Sequence, residues 1–255
     1  MPFLTAGGHR LEYAQFAGRP GAPTLVLLHE GLGSLAMWRD FPAKLAAATG
    51  CPLVVYSRYG YGGSDPFAAA LEPSYMHDEA LVALPELRRA LALDDIVLVG
   101  HSDGASIALI HAGSGRWQVR ALILEAAHVF VEDVSVAGIE QARIAFQTAD
   151  LRQRLARYHR DVDGAFLGWS DAWHNPAFRA WTIAAYLPGV ACPVLAIQGA
   201  QDEYGTLAQI AAIERGVTGP VETLVLDDCT HSPHRDQEAA VLAAMAGFIA
   251  RIGRG

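Results

Sequence analysis

Long hydrophobic runs are missing from this chain: no stretch approaches the roughly 18 uninterrupted apolar residues that a membrane-spanning helix requires. The 52% of apolar residues and the positive mean hydropathy of +0.20 therefore point to a sizeable buried core. Charge is also sparse. Asp, Glu, Lys and Arg together make up 18% of 255 residues, and the net charge is −8 with a pI near 5.6. Clustered Lys and Arg are absent, which argues against a nucleic-acid or membrane partner and leaves a small-molecule substrate. Residues 1–10 show neither a basic start nor an apolar secretory segment, so a cytoplasmic location is expected. Cysteine is scarce and scattered: Cys51, Cys192 and Cys229 form no C-x-x-C pair and read as buried, reduced thiols. None sits in a glycine-flanked turn of the kind a nucleophile needs. Monomer and homodimer both remain open.

What is present is an alternation of short apolar runs and Ala/Leu-rich stretches. Thr24–Leu28, Pro52–Tyr56, Ile96–Val99, Ala121–Glu125, Pro193–Gln198 and Val221–Leu226 read as strands. Helical patterns lie between them: around Phe41–Ala48, at Met76–Leu93 (despite Pro85), at Ala105–Ala112, near Leu207–Arg215 and at Glu238–Ile252. Continuously apolar strands alternating with helices predict an α/β chain with a mostly parallel, doubly wound sheet. Right-handed crossovers then collect the loops after the strands at the carboxyl edge, where sites form. The rhythm breaks between His128 and Gly189, a helical stretch holding Trp169, Trp173, Trp181, His159 and His174. It predicts a helical cap at 128–189 inserted into a core of 1–127 and 190–255. Its aromatics serve either as the cap's own core or as a substrate wall, together with His128.

Gly100-His101-Ser102-Asp103-Gly104 follows an apolar strand and opens a helix, the setting of a nucleophile elbow. A serine hydroxyl needs a base, and the base needs a carboxylate to orient it. The loops after two later strands supply both. Asp202 is the preferred acid, with Glu203 second and Glu125 third; His231 is the preferred base over His234, because it lies nearer its strand end. A capping or solvated role suits His234, and a metal reading of His231-x-x-His234 lacks further ligands, so no metal is expected. The oxyanion donors are expected to be the N–H of Asp103 and that of Gly31, with Glu30 the alternative. His29 is assigned to holding that loop by hydrogen bonding, and His101 and His111 to packing beside the elbow and on its helix. Two-step acyl transfer from a small carboxylic ester, with no cofactor, follows from this set.

The His29–Ser34 loop (H-x-G-x-G-S), the Arg58–Ser64 loop, the Gly100–Gly104 elbow and the Asp202 and His231 loops together resemble the α/β-hydrolase superfamily across nearly the whole chain. Ser102-Asp103-Gly104 with Ala126–Asp133 is similar to its valacyclovir-hydrolase (biphenyl-hydrolase-like) branch. There the acidic residue after the nucleophile goes with substrates bearing an α-amino group, which maps onto Asp103. Glu30 departs from the glycine usual in that family's oxyanion loop. Together the two acids suggest an acidic pocket mouth that reads amino-acid esters; the plainer role for Asp103 is capping its helix. A thioesterase, a carbon–carbon bond hydrolase or a perhydrolase would keep the same triad, and a ligand receptor on this fold would not turn over. Serine in place of an aspartate nucleophile disfavours epoxide hydrolysis and dehalogenation.

Overall fold

Leu25 and Leu27 point to one side of their strand while Val26 and Leu28 point to the other, and all four are fully buried. That burial on both faces is what a parallel sheet between two helical layers requires. A computed structural model describes residues 1–253, and among these eight strands form one sheet in the order β1-β2-β4-β3-β5-β6-β7-β8. β1 (Phe3–Ala6) and β2 (His9–Phe16) form an antiparallel hairpin, and β2 also runs antiparallel to β4 (Leu53–Tyr56). β3 (Thr24–Leu28), β5 (Ile96–His101), β6 (Ala121–Glu125), β7 (Val194–Gly199) and β8 (Val221–Leu226) join β4 in parallel. The expected α/β architecture is therefore the one found. The hairpin was not foreseen from the pattern, because β2 is polar and half-buried along most of its length.

Helices close both faces. On one lie α1 (Phe41–Thr49) and α10 (Glu238–Ile252), which buries Val241, Met245, Phe248 and Ile249 at helical spacing. Each such side chain contributes about 1.5–3 kcal/mol by leaving water. On the other face lie α4 (Asp103–Gly113) and the paired α2 (Tyr75–Asp78) and α3 (Leu84–Ala90). Between α2 and α3 the chain widens into a π-helical turn, Glu79–Ala83, where Leu84 N–H reaches back to Glu79 O. Pro85 explains the widening: it has no N–H for the Leu81 carbonyl, and its ring crowds that carbonyl. His111 satisfies a neighbouring carbonyl by donating from Nδ1 to Ala80 O at 2.8 Å.

Between β6 and β7 the chain leaves the sheet, over the stretch that contains residues 128–189. It forms α5 (Asp133–Thr148), α6 (Leu151–Leu155) and α7 (Val162–His174), the last capped by Asp161, whose carboxylate accepts from Gly164 N–H at 3.0 Å. Two 3-10 turns, Pro176–Ala180 and Ala184–Gly189, lead back. α8 (Ala208–Gly216) and the short α9 (Pro233–Asp236) complete the helices used below. Among the described residues no helix is long and apolar enough to cross a membrane.

Candidate active site

Parallel strands in register bring five chain segments to one sheet edge: Leu28 pairs with Gly100, His101 with Glu125, and Gly199 with Leu226. Ser102 leaves β5 with φ 53° and ψ −118°, the left-handed kink of a strand-to-helix elbow. A non-glycine residue held there costs about 1–3 kcal/mol, which the surrounding structure must supply. Two glycines make the turn possible. A Cβ on Gly104 would sit 2.0 Å from Leu28 O, and one on Gly100 would sit 2.4 Å from Gly104 O. Ser102 N–H donates to Glu125 O at 2.8 Å, tying the kink to β6.

Asp202 and His231 arrive on two loops that pack without room between them. A Cβ on Gly199 would meet Cys229 O at 2.3 Å, and Gln201 N–H donates to that same carbonyl at 2.9 Å. This puts His231 Nδ1 at 2.8 and 2.9 Å from the two carboxylate oxygens of Asp202. The Asp202 side chain is 1% exposed and held by three more donors: Tyr204 N–H, Gly205 N–H and Gln198 Nε2. Burial pushes its carboxyl up, but the hydrogen bond and charge of His231 and the Tyr204 N–H outweigh it and hold the group below its ordinary range. An ionised Asp202 accepts, so Nδ1 carries the proton and Nε2 is left as the free, basic nitrogen. The Tyr204 ring covers His231 at 4.7 Å.

Ser102 and His231 face one cavity of about 190 Å³. Its wall includes Leu32, Met37, Ile139, Leu151 and Leu155, with Trp169 and Trp173 from α7. Gly31 and Glu30 border it as well, and the Trp169 indole lies so close over Gly31 that a Cβ there would meet Nε1 at 2.1 Å. Among the described residues the N–H groups of Gly31 and Asp103 have no hydrogen-bond acceptor. His29 holds the Gly31 loop as anticipated: Nδ1 donates to Glu30 O at 2.7 Å and Nε2 accepts from Arg58 N–H at 3.0 Å.

Several expectations need correction. The Asp103 side chain neither reaches the cavity nor caps its helix. It is fully buried beneath the elbow, accepting from Tyr75 hydroxyl at 2.7 Å and lying 3.5 Å from Arg58 Nη2. Trp181 is also absent from the cavity wall, because it stacks on Phe178 inside the inserted segment. Glu30 does line the cavity, but not as a free acid. Its Oε1 pairs with Arg235 Nη2 at 3.2 Å, and its Oε2 lies 3.4 Å from His101 Nδ1. His234 is not solvated: it is 3% exposed, and its Nδ1 lies 2.8 Å from Glu125 Oε2. The metal spacing of His231-x-x-His234 therefore dissolves into two separate His–carboxylate pairs. Among the described residues Glu203 accepts only from the His231 backbone N–H, and Cys192 is half-buried rather than buried.

His128 lines the cavity beside Trp173, and burial, reinforced by His231, lowers its imidazole to about 3. His101 donates from Nε2 to the His231 carbonyl at 2.7 Å. Burial works against its charge, but Glu30 outweighs that and raises it, favouring the imidazolium. Sequence reasoning passed over Arg235, Tyr204, Gln198, Tyr75 and Arg58. Of these Tyr204, next to Glu203, Gln198, four residues before Asp202, and Arg235, four after His231, lay near enough to singled-out residues to be found.

Residues 25–244 match the model of the alpha/beta hydrolase family. A proline iminopeptidase from Heyndrickxia coagulans is 28% identical over 122 residues, covering 48% of this chain and 41% of that protein. The chain thus spans well under two thirds of this first relative. A 2-succinyl-6-hydroxy-2,4-cyclohexadiene-1-carboxylate synthase from Klebsiella pneumoniae is 25% identical over 258 residues, 91% of this chain and 96% of its own. Among solved structures, the enol-lactonase from Burkholderia xenovorans LB400 superposes with a TM-score of 0.76 at 22% identity, covering 98% of this chain and all of that one, a likeness of fold. By its strand order, its elbow and the span of the family match, the chain belongs to the alpha/beta hydrolase family.

Proposed function

We propose that the protein hydrolyses small carboxylic esters by acyl transfer through Ser102, His231 and Asp202. The observation that carries this reading is a serine at a left-handed elbow sharing one cavity with a histidine whose far nitrogen is bonded to a buried carboxylate. His231 Nε2 takes the Ser102 proton as Oγ attacks the ester carbonyl. The oxyanion forms against the Asp103 and Gly31 N–H groups, at the N-terminus of α4, where the helix dipole also favours negative charge. His231 then gives the proton to the departing alcohol. Water, deprotonated by the same nitrogen, cleaves the acyl-enzyme and restores Ser102.

The cavity is below the roughly 300–1,000 Å³ of sites that hold drug-sized ligands, so a short acyl group suits it. With Asp103 turned away and Glu30 bound to Arg235, nothing in the wall singles out an α-amino group. The test is p-nitrophenyl acetate turnover by wild type and Ser102→Ala. The variant is expected to lose about 10⁴-fold or more in kcat, and octanoate esters are expected to react more slowly than acetate. Turnover that survives Ser102→Ala would overturn the assignment.

A further inference from the structure

His231 is held by more than Asp202. Its N–H donates to Glu203 Oε2 at 3.2 Å, and its carbonyl accepts from His101 Nε2 at 2.7 Å. His101 is fully buried, stands immediately before Ser102 and does not line the cavity. Its other ring nitrogen, Nδ1, lies 3.4 Å from Glu30 Oε2. Glu30 belongs to the loop of Gly31, and Gly33 leaves room for its side chain: a Cβ there would stand 2.3 Å from Glu30 Oε2.

These two neighbours fix the state of the His101 ring. Nε2 faces a carbonyl, so it must carry a proton. A neutral imidazole would then turn the Nδ1 lone pair toward a carboxylate oxygen, whereas an imidazolium offers a proton on both sides. The surrounding charges are otherwise engaged. Glu125, paired with His101 across the sheet, is occupied by His234, and Arg235 meets the other oxygen of Glu30 at 3.2 Å. The rings of Trp38, His231 and His234 pack around His101.

We propose that His101 is a positioning residue for the base: paired with Glu30, it fixes the His231 carbonyl and so joins the elbow, the Gly31 loop and the His231 loop into one unit. Without it the His231 backbone keeps only its N–H anchor, and the imidazole loses the alignment with Ser102 that proton transfer needs. The proposal rests on the Ser102–His231–Asp202 reading, so one arm of its test needs no turnover.

The experiment follows p-nitrophenyl acetate turnover from neutral to alkaline pH in wild type, His101→Leu, His101→Gln and Glu30→Gln. Beside it, the low-field proton NMR signal of His231 Nδ1–H reports the hydrogen bond to Asp202. His101→Leu should lower kcat about tenfold or more with KM unchanged, toward the roughly 10²-fold that a small misplacement costs, and should lose the His231 signal. His101→Gln keeps a donor near the place of Nε2 and should recover most of that loss. Glu30 raises His101, so wild-type kcat should fall only well above the ordinary imidazole value of about 6.5, as His101 gives up its proton. That fall should be absent from His101→Gln, which does not titrate. It should begin at lower pH in Glu30→Gln, which lacks the charge favouring the imidazolium. Where His101→Leu does not fold, the two Gln variants decide. Wild-type kcat or an unchanged His231 signal in folded His101→Leu would overturn the proposal, as would an alkaline fall absent from wild type or unmoved in either Gln variant. Turnover that survives Ser102→Ala sinks the ester reading instead, and the His231 signal then judges His101 by itself.

Discussion

At Asp103 the backbone and the side chain serve different ends. The N–H, left free by the elbow, belongs to any residue at that position, whereas the carboxylate neutralises Arg58 and anchors Tyr75, which in turn accepts from Trp173 Nε1 at 3.0 Å. Asp103→Asn keeps the first and removes the charge of the second, leaving a buried guanidinium unpaired. It should cost about 3 kcal/mol in urea unfolding. The ratio of rates on an amino-acid ester and its des-amino analogue should stay as in wild type, and a changed ratio would restore Asp103 to the substrate. Ser102, Asp202 and His231 could be read from the chain because each follows a strand end, and strand ends share an edge. The direction of the Asp103 side chain could not, since it is decided by Tyr75 and Arg58, which only the tertiary fold brings near.

At the scale of elements, Glu125 and His234 fasten the end of β6 to α9. The carboxylate lies 2.8 Å from His234 Nδ1 and also accepts the N–H of the same residue at 3.0 Å. Burial pushes Glu125 up, but His234 holds it below its ordinary range. A single replacement leaves a buried polar partner unsatisfied; removing both does not. Glu125→Leu and His234→Leu should each destabilise by about 2–3 kcal/mol, and the double variant by at least about 1 kcal/mol less than their sum. Strict additivity in urea midpoints would show that the two do not act together. Both residues were visible in the sequence as candidates for the triad. Distance from the strand end placed His234 behind His231 in the sequence reading; what that reading could not supply was that Glu125 and His234 had each other.

Across the whole molecule, burial lowers several imidazoles, His111 and His128 among them. Burial lowers His111 to about 4, with Arg88 adding to the effect, and lowers His128 to about 3, with His231 adding. Unfolded, both titrate near ~6.5, so below that pH the unfolded chain binds more protons than the native one. Their contribution to stability is thus complete above about pH 6.5 and is lost as the pH falls toward about 4. His128→Leu should flatten the dependence of unfolding free energy on pH in that window, read from urea titrations; an unchanged slope would mean His128 is protonated in the native state. The central strands were legible because both their faces are apolar, while the β1–β2 hairpin, open to solvent, left no such trace. One contact joins the layers of this molecule more tightly than packing alone. His159, in the inserted segment, donates from Nε2 to Leu32 O at 2.9 Å and accepts Gly62 N–H at Nδ1 at 3.0 Å. Leu32 is the neighbour of Gly31, and Trp169 lies on Gly31 itself. The inserted segment is therefore bolted to the loop that carries Gly31. If the Gly31 N–H steadies the reacting oxygen as proposed, lifting that segment would disarm the chamber, and an acyl group would be attacked only while enclosed.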